Sequence, residues 1–252
     1  MHNWLSVIGC RLWLRTENRK PKSYQHRSLN FQFSILNSIK VDYSIEANKK
    51  EFIELLKSTG REGVDDLIEY LDEGRNHFFT APASVNHHLN NDGGLLQHSL
   101  NVCHAALKLR ELTLTMRPDL ESQLTRDSVI IASLLHDICK ADIYRPTRRK
   151  RKDATGLWVE VDSYDVDYSN FPMGHGEKSA IMALWAGLDI TQEELLAIRW
   201  HMTAWDLPMQ SVEAGKSLNT ARDLHPLCSL VQLADGIAAN LVEFGTDGKE
   251  NF

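Results

Sequence analysis

The sequence predicts an all-α domain carrying one small β-hairpin, and three observations predict it. Apolar residues recur at three- and four-residue steps from about residue 45 onward, as in Phe52, Ile53, Leu55, Leu56 and again in Val64, Leu67, Ile68, Leu71. Residues 142–172 break that period, with a strand-like segment Leu157–Val161 after the turn-forming stretch Asp153–Gly156. The run Val129–Leu135 offers almost no polar face, so its helix must be surrounded by protein on nearly all sides.

Composition is compatible with one globular domain. The chain has 252 residues and 28.7 kDa, 42% of them hydrophobic and 25% charged. No apolar stretch approaches the roughly 18 residues of a membrane span. Four scattered cysteines (Cys10, Cys103, Cys139, Cys228) form no CxxC pair, which points to buried free thiols and a reducing, cytoplasmic setting. The net charge of −6 hides an asymmetry, because residues 1–40 hold Arg11, Arg15, Arg19, Lys20, Lys22, Arg27 and Lys40 against the single acid Glu17. Residues 1–44 therefore predict a poorly ordered basic extension, and residues 45–252 a single domain with its core at 77–244.

Taken in order, two short amphipathic helices come first, then a loop, Thr80–His88. Gly93-Gly94 introduces a long helix running to about Leu114, with His98 in its first turns. The next helix starts near Asp127, read as its N-cap, and closes on His136-Asp137, with Lys140 just beyond. After the hairpin, helical signals return in Gly176–Leu188, in a helix from Thr191 whose Thr191/Glu194 pair reads as a capping box, and in a last helix from Pro226 to Phe244.

The chemistry gathers around His136-Asp137. An ionised aspartate at the end of a buried helix needs a cation or strong donors. Asp235 poses the same question, since it adjoins the apolar stripe Leu227, Leu230, Val231, Ala234, Ile237, Ala238, Leu241. His98 and His201 also lie beside apolar neighbours, and His175 begins a helix of its own. Each histidine alone reads as ordinary; beside the doublet, all become candidate metal ligands.

The order His98, His136-Asp137, His175, His201, Asp235 resembles the HD superfamily of metal-dependent phosphohydrolases over about residues 77–244. His136–Lys140 looks like the HDxGK form of the doublet with Cys139 in place of glycine, Gly93–His98 like the first-histidine helix, and Leu233–Asp235 like the final aspartate helix. The resemblance implies an HD-domain helical bundle in which His98, His136, Asp137 and Asp235 hold one metal. Asp137 would bridge to a second metal held by His175 and His201; in a mononuclear member those two histidines would instead meet substrate. So much imidazole favours two transition ions, iron or manganese, with cobalt, nickel or magnesium as alternatives. The implied reaction is hydrolysis of a nucleotide or other small phosphate ester by a metal-activated hydroxide, with Asp137 and Lys140 as catalytic groups. Lys140 also reads simply as a lysine answering a helix dipole.

Further contacts are read at His88, in a loop resembling one in 3′→5′ exoribonucleases of the same superfamily, as a substrate or ligand-supporting group unless it simply bonds backbone or water, and at Trp205, one turn beyond His201, as a stacking surface for a base unless it is core. Arg145 leads the basic run to Lys152, expected to attract a polyanion unless it is merely solvated. Glu177 and Lys178 either orient His175 or cap its helix. A nuclease-like phosphodiesterase acting on nucleic acid, a di-iron oxygenase of the same fold, and a nucleotide-binding module without turnover are the competing readings. No membrane association is expected, and the oligomeric state is left open.

Overall fold

The computed structural model describes residues 44–72, 77–85, 87, 89–153, 155–203 and 211–244, all within the compact unit Asp42–Phe252. Residues 1–43 of the expected N-terminal extension, His88 and Trp205 lie outside the described residues, whereas Ser44 belongs to the start of the first helix. Nine α-helices and one hairpin appear among them: α1 Ile45–Ser58, α2 Val64–Asp72, α3 Gly94–Met116, α4 Arg126–Leu135, α5 Lys140–Ile143, β1 Tyr144–Lys152, β2 Trp158–Val166, α6 His175–Trp185, α7 Gln192–Trp200, α8 Val212–Leu224 and α9 Pro226–Ile237. None of the described helices is long and apolar enough to cross a membrane.

Local chemistry sets the boundaries. Ser44 caps α1 by accepting from Ala47 N, and buried Asn48, Phe52 and Leu56 follow at four-residue steps. The cap of α4 is Thr125, whose side chain accepts from Ser128 N. Asp127 is instead a first-turn residue, where its carboxylate faces the positive end of the helix. Thr191 and Glu194 do form a capping box at α7. That glutamate is fully buried because Arg61 clamps it with two nitrogens at 2.8 and 3.0 Å and ties the α1–α2 corner to α7.

α4 is the hub. Every residue from Ser128 to Leu135 is buried, as an all-apolar helix requires, and α3, α7 and α9 pack around it. Each fully buried Leu or Ile here contributes about 1.5–3 kcal/mol. The glycine that opens α3 has a steric reason: a Cβ on Gly94 would lie 2.0 Å from Leu89 O.

The hairpin is longer than its alternating segment implied. β1 and β2 pair antiparallel from Tyr144↔Val166 to Lys152↔Trp158, so β1 holds the entire basic run. Directly opposed pairs put acid against base, as in Arg148↔Asp162, Lys150↔Glu160 and Arg145↔Asp165.

Two features departed from expectation. α8 carries little apolar signal, with only Leu218 and Ala221 buried, and was not anticipated. The last helix does not continue unchanged to Phe244: α9 ends at Ile237 and a π-turn, Ala238–Val242, follows. There Glu243 N bonds to Ala238 O at 2.9 Å, five residues back. The wider turn rotates the residues after it by roughly one position relative to an α-helix.

Candidate metal centre

Two of the four histidines are placed by the same device. His136 is the C-cap of α4 and His201 the C-cap of α7. Each donates Nδ1–H to the carbonyl three residues back, His136 to Ser133 O and His201 to Ile198 O, both at 2.7 Å. That bond answers a helix-end carbonyl and fixes the tautomer, leaving Nε2 with its lone pair. His98 lies inside α3, where carbonyls serve the helix. Its Nδ1 faces the Glu243 carboxylate instead, 3.0 and 3.2 Å from the two oxygens. His175 opens α6, and its Nδ1 lies 3.4 Å from Cys139 Sγ.

All four Nε2 atoms converge on Asp137, whose two oxygens face different groups. Oδ2 lies 3.5 Å from His98 Nε2 and 3.3 Å from His136 Nε2. Oδ1 lies 3.3 Å from His201 Nε2 and in direct contact with His175 Nε2. Asp235 Oδ1, from α9, stands 3.3 Å from His98 Nε2 and completes the first half. Ligand atoms of His98, His136 and Asp137, of His136, His201 and Asp235, and of Asp137, His175 and His201 each lie within 4.8 Å of one another. The six sequence candidates are thus brought into one cluster, and Lys140 joins it with Nζ 2.5 Å from Asp137 Oδ2.

This donor set suits a divalent cation. His201 Nε2 is buried without a hydrogen-bond partner, and its lone pair points toward a carboxylate. His136 and His98 bring their Nε2 atoms to 3.3 Å of each other. Lone pairs held this close repel unless a cation or proton lies among them. Protons do part of that work in the metal-free protein. Burial would push His98 down, but Asp137, Asp235 and Glu243 hold it well above the usual imidazole range. Burial likewise opposes charging of His175, and the Cys139 sulfur and Asp137 overcome it, raising His175 to about 10. His201, where burial prevails, is lowered and stays neutral. Asp137 is held far below the carboxylate range despite its burial, by Lys140, His136 and His175.

Beside the cluster opens a cavity of about 290 Å³. His98, Asp137, Lys140, His201 and Asp235 line its metal side. Thr203, Gln232, Gly236 and Asn240 line the other, and Thr203, two residues beyond the candidate ligand His201, adopts φ +46, a costly conformation for a β-branched residue.

Arg145 is not brought to this cavity. On β1 it pairs with Asp142 at 3.8 Å and Asp167 at 3.7 Å, while Arg149 contacts Asp165 and Arg148 lies 3.5 Å from Asp162. Three of the six basic residues of this run, Arg145, Arg148 and Arg149, are therefore matched by acids in or beside the hairpin. Lys178 pairs with buried Asp142 and donates to Asn170 O at 2.7 Å, so it fastens the segment leading into α6. Glu177 pairs with Arg199 of α7 at 2.8 Å. Sequence reasoning missed Glu243, which carried no visible signal because the π-turn sets its phase relative to Asp235.

A family model described as "HD domain" matches residues 95–240, more than half of the chain. The chain is also 30% identical over 125 residues to a dihydroneopterin 2',3'-cyclic phosphate phosphodiesterase of Methanocaldococcus jannaschii, a match covering 49% of this chain and 44% of that protein. The chain thus matches less than half the length of that curated relative. No solved structure gives a significant match.

Proposed function

The chain belongs to the HD-domain family, and from that premise we propose that it is a metal-dependent phosphohydrolase acting on a small phosphate ester, a nucleotide-like phosphodiester first among them. One observation carries the reading: Asp137 turns one oxygen to the His98/His136 pair and the other to the His175/His201 pair. A carboxylate shared in this way is suited to bridging two cations, with Asp235 completing the first set. The nitrogen-rich shell favours iron or manganese, with cobalt, nickel or magnesium as alternatives. Bound cations supply Lewis acidity toward phosphoryl oxygens and lower the pKa of water toward neutrality.

The chain's own groups do the rest. Asp137 and Asp235 offset the cationic charge and orient the imidazoles. Lys140 lines the cavity from the Asp137 side, where its ammonium can donate to a phosphoryl oxygen or protonate a leaving alkoxide. Gln232, Asn240 and Thr203 give the organic part of the substrate amide and hydroxyl partners. A cavity of about 290 Å³ fits a mononucleotide-sized ligand, and the pairing of Arg145, Arg148 and Arg149 with acids favours that over a polymer held by its backbone. A cytoplasmic location belongs to the same proposal, resting on the free buried thiols of Cys103, Cys139 and Cys228. So does the division into an extension, 1–44, and one HD domain, 45–252.

The test is to purify the protein without added metal, measure metal content, and assay phosphomonoesters, nucleotides and 2′,3′-cyclic phosphates with manganese and ferrous iron. Phosphoester hydrolysis abolished in Asp137→Ala is the expected result. No turnover of any phosphoester, together with oxygen consumption by the reduced iron form, would establish the oxygenase reading instead.

A further inference from the structure

A chain of side-chain hydrogen bonds runs from α1 to the metal centre. Asn48 Nδ2 donates to Gln97 Oε1 at 2.7 Å, Gln97 Nε2 to Asn101 Oδ1 at 2.8 Å, and Asn101 Nδ2 to Glu243 Oε1 at 2.9 Å. Glu243 then meets His98 Nδ1. Three of these residues are buried or half-buried amides, and Glu243 is only 2% exposed. The outer end, Asn48 and Gln97, lines a second cavity of about 310 Å³.

The carboxylate fixes the direction of the whole chain. An ionised carboxylate only accepts, so Asn101 must turn its nitrogen to Glu243 and its oxygen to Gln97. Gln97 must then offer its oxygen to Asn48. At the inner end the same carboxylate requires a hydrogen on His98 Nδ1, which reserves Nε2 for a ligand role. His136 and His201 obtain this from helix-end carbonyls. His98, inside α3, has none to use, and the π-turn brings Glu243 to it in their place.

We propose that Asn101 and Gln97, anchored by Asn48, are positioning residues that act through Glu243 to hold the His98 ring and its tautomer for metal binding. The proposal rests on the metal-centre reading above, but the relay itself is a property of the metal-free protein.

A swap of donors and acceptors tests it. In Glu243→Gln the amide chain keeps the remaining oxygen on Asn101, at the Oε1 position, so the nitrogen takes the Oε2 position and sets a donor 3.2 Å from His98 Nδ1 where an acceptor stood, against the tautomer a ligand needs. Adding Asn101→Asp supplies an acceptor for that nitrogen and returns the oxygen of the introduced amide to His98. Calorimetric titration with Mn²⁺ should show affinity at the first half-site falling at least about tenfold in Glu243→Gln and recovering most of that loss in the double variant. The Co²⁺ electronic spectrum should be perturbed in the single variant and restored in the double. In metal-free wild type, the side-chain NH₂ resonances of Asn101 and Gln97 should be exchange-protected, and those of Gln97 should stay so in the double variant.

Unchanged Mn²⁺ affinity in Glu243→Gln, or a double variant no better than the single, overturns the relay. If either variant fails to fold, freely exchanging Asn101 and Gln97 amides in wild type still overturn it. Protected amides in a protein that takes up no manganese, iron or cobalt would instead overturn the metal reading and leave the hydrogen-bond chain standing.

Discussion

Lys140 Nζ lies 2.5 Å from Asp137 Oδ2, the same oxygen that faces His98 and His136. The ammonium therefore competes with a cation for that oxygen in the metal-free protein. Burial disfavours its charge, but Asp137 overcomes this and raises it above the ordinary lysine range. Lys140→Met should bind the first metal more tightly, by up to about tenfold, while hydrolysing phosphate esters at least about 10²-fold more slowly. Metal titration beside steady-state kinetics reads both, and a parallel loss of affinity and rate would remove the competition argument.

The second half-site should respond to pH in opposite ways with and without metal. His175 is raised to about 10 against an unfolded value near 6.5. Its contribution to metal-free stability is therefore fully present below about pH 6.5 and is lost as pH rises through about 10. A metal must displace that proton, so affinity at this half-site should climb with pH by up to about tenfold per unit between 7 and 9. Urea unfolding of the metal-free protein at pH 6.5 and 9.5, set beside Mn²⁺ titrations at pH 7 and 9, measures both slopes.

Cys139 replaces the glycine of the HDxGK pattern, and its sulfur lies 3.4 Å from His175 Nδ1 while its backbone N–H donates to Ser179 Oγ at 3.2 Å. The departure places a partner behind a candidate ligand. Cys139→Gly should weaken the second metal about tenfold and leave the first within about twofold. Cys139→Ser, which keeps a hydrogen-bonding atom there, should retain most of the affinity. Equal loss of both metals would point to general loosening of the doublet turn.

The legible parts of this molecule are those dictated by local pattern. The apolar run of α4, the capping box at Thr191/Glu194 and the break in period at the hairpin each follow from neighbouring residues, and each appears as read. The HD-domain fold was legible because its marked residues sit at helix starts, at helix ends or beside an apolar stripe. What escaped depends on backbone and side-chain geometry that residue pattern does not encode. Thr125 outcompetes Asp127 as a cap through a side chain-to-backbone geometry that sequence leaves ambiguous. The charge of Arg145, Arg148 and Arg149 looked available because the acids that pair with it lie on β2, just beyond it or in α5. Glu243 was hidden by a π-turn, which alters helical phase without a sequence signature.

The approach of α6 to α7 gives the last prediction. A Cβ added to Gly176, the residue after His175, would lie 2.2 Å from Arg199 O and 3.0 Å from Ile198 O. Ile198 O is the carbonyl that accepts His201 Nδ1–H. Glycine therefore does two things at once: it lets His175 and His201 share Asp137 Oδ1, and it leaves the carbonyl that sets the His201 tautomer undisturbed. Backbone atoms cannot yield as a flexible side chain would, so Gly176→Ala must push α6 away from α7, at a cost of roughly 1–3 kcal/mol. His98, His136 and Asp235 sit on α3, at the end of α4 and on α9, outside that contact. The variant should remain folded with a lowered urea midpoint, retain one metal ion of two, and lose the second by at least about tenfold in affinity. Loss of both ions in a folded protein would mean that the halves of the centre do not form separately.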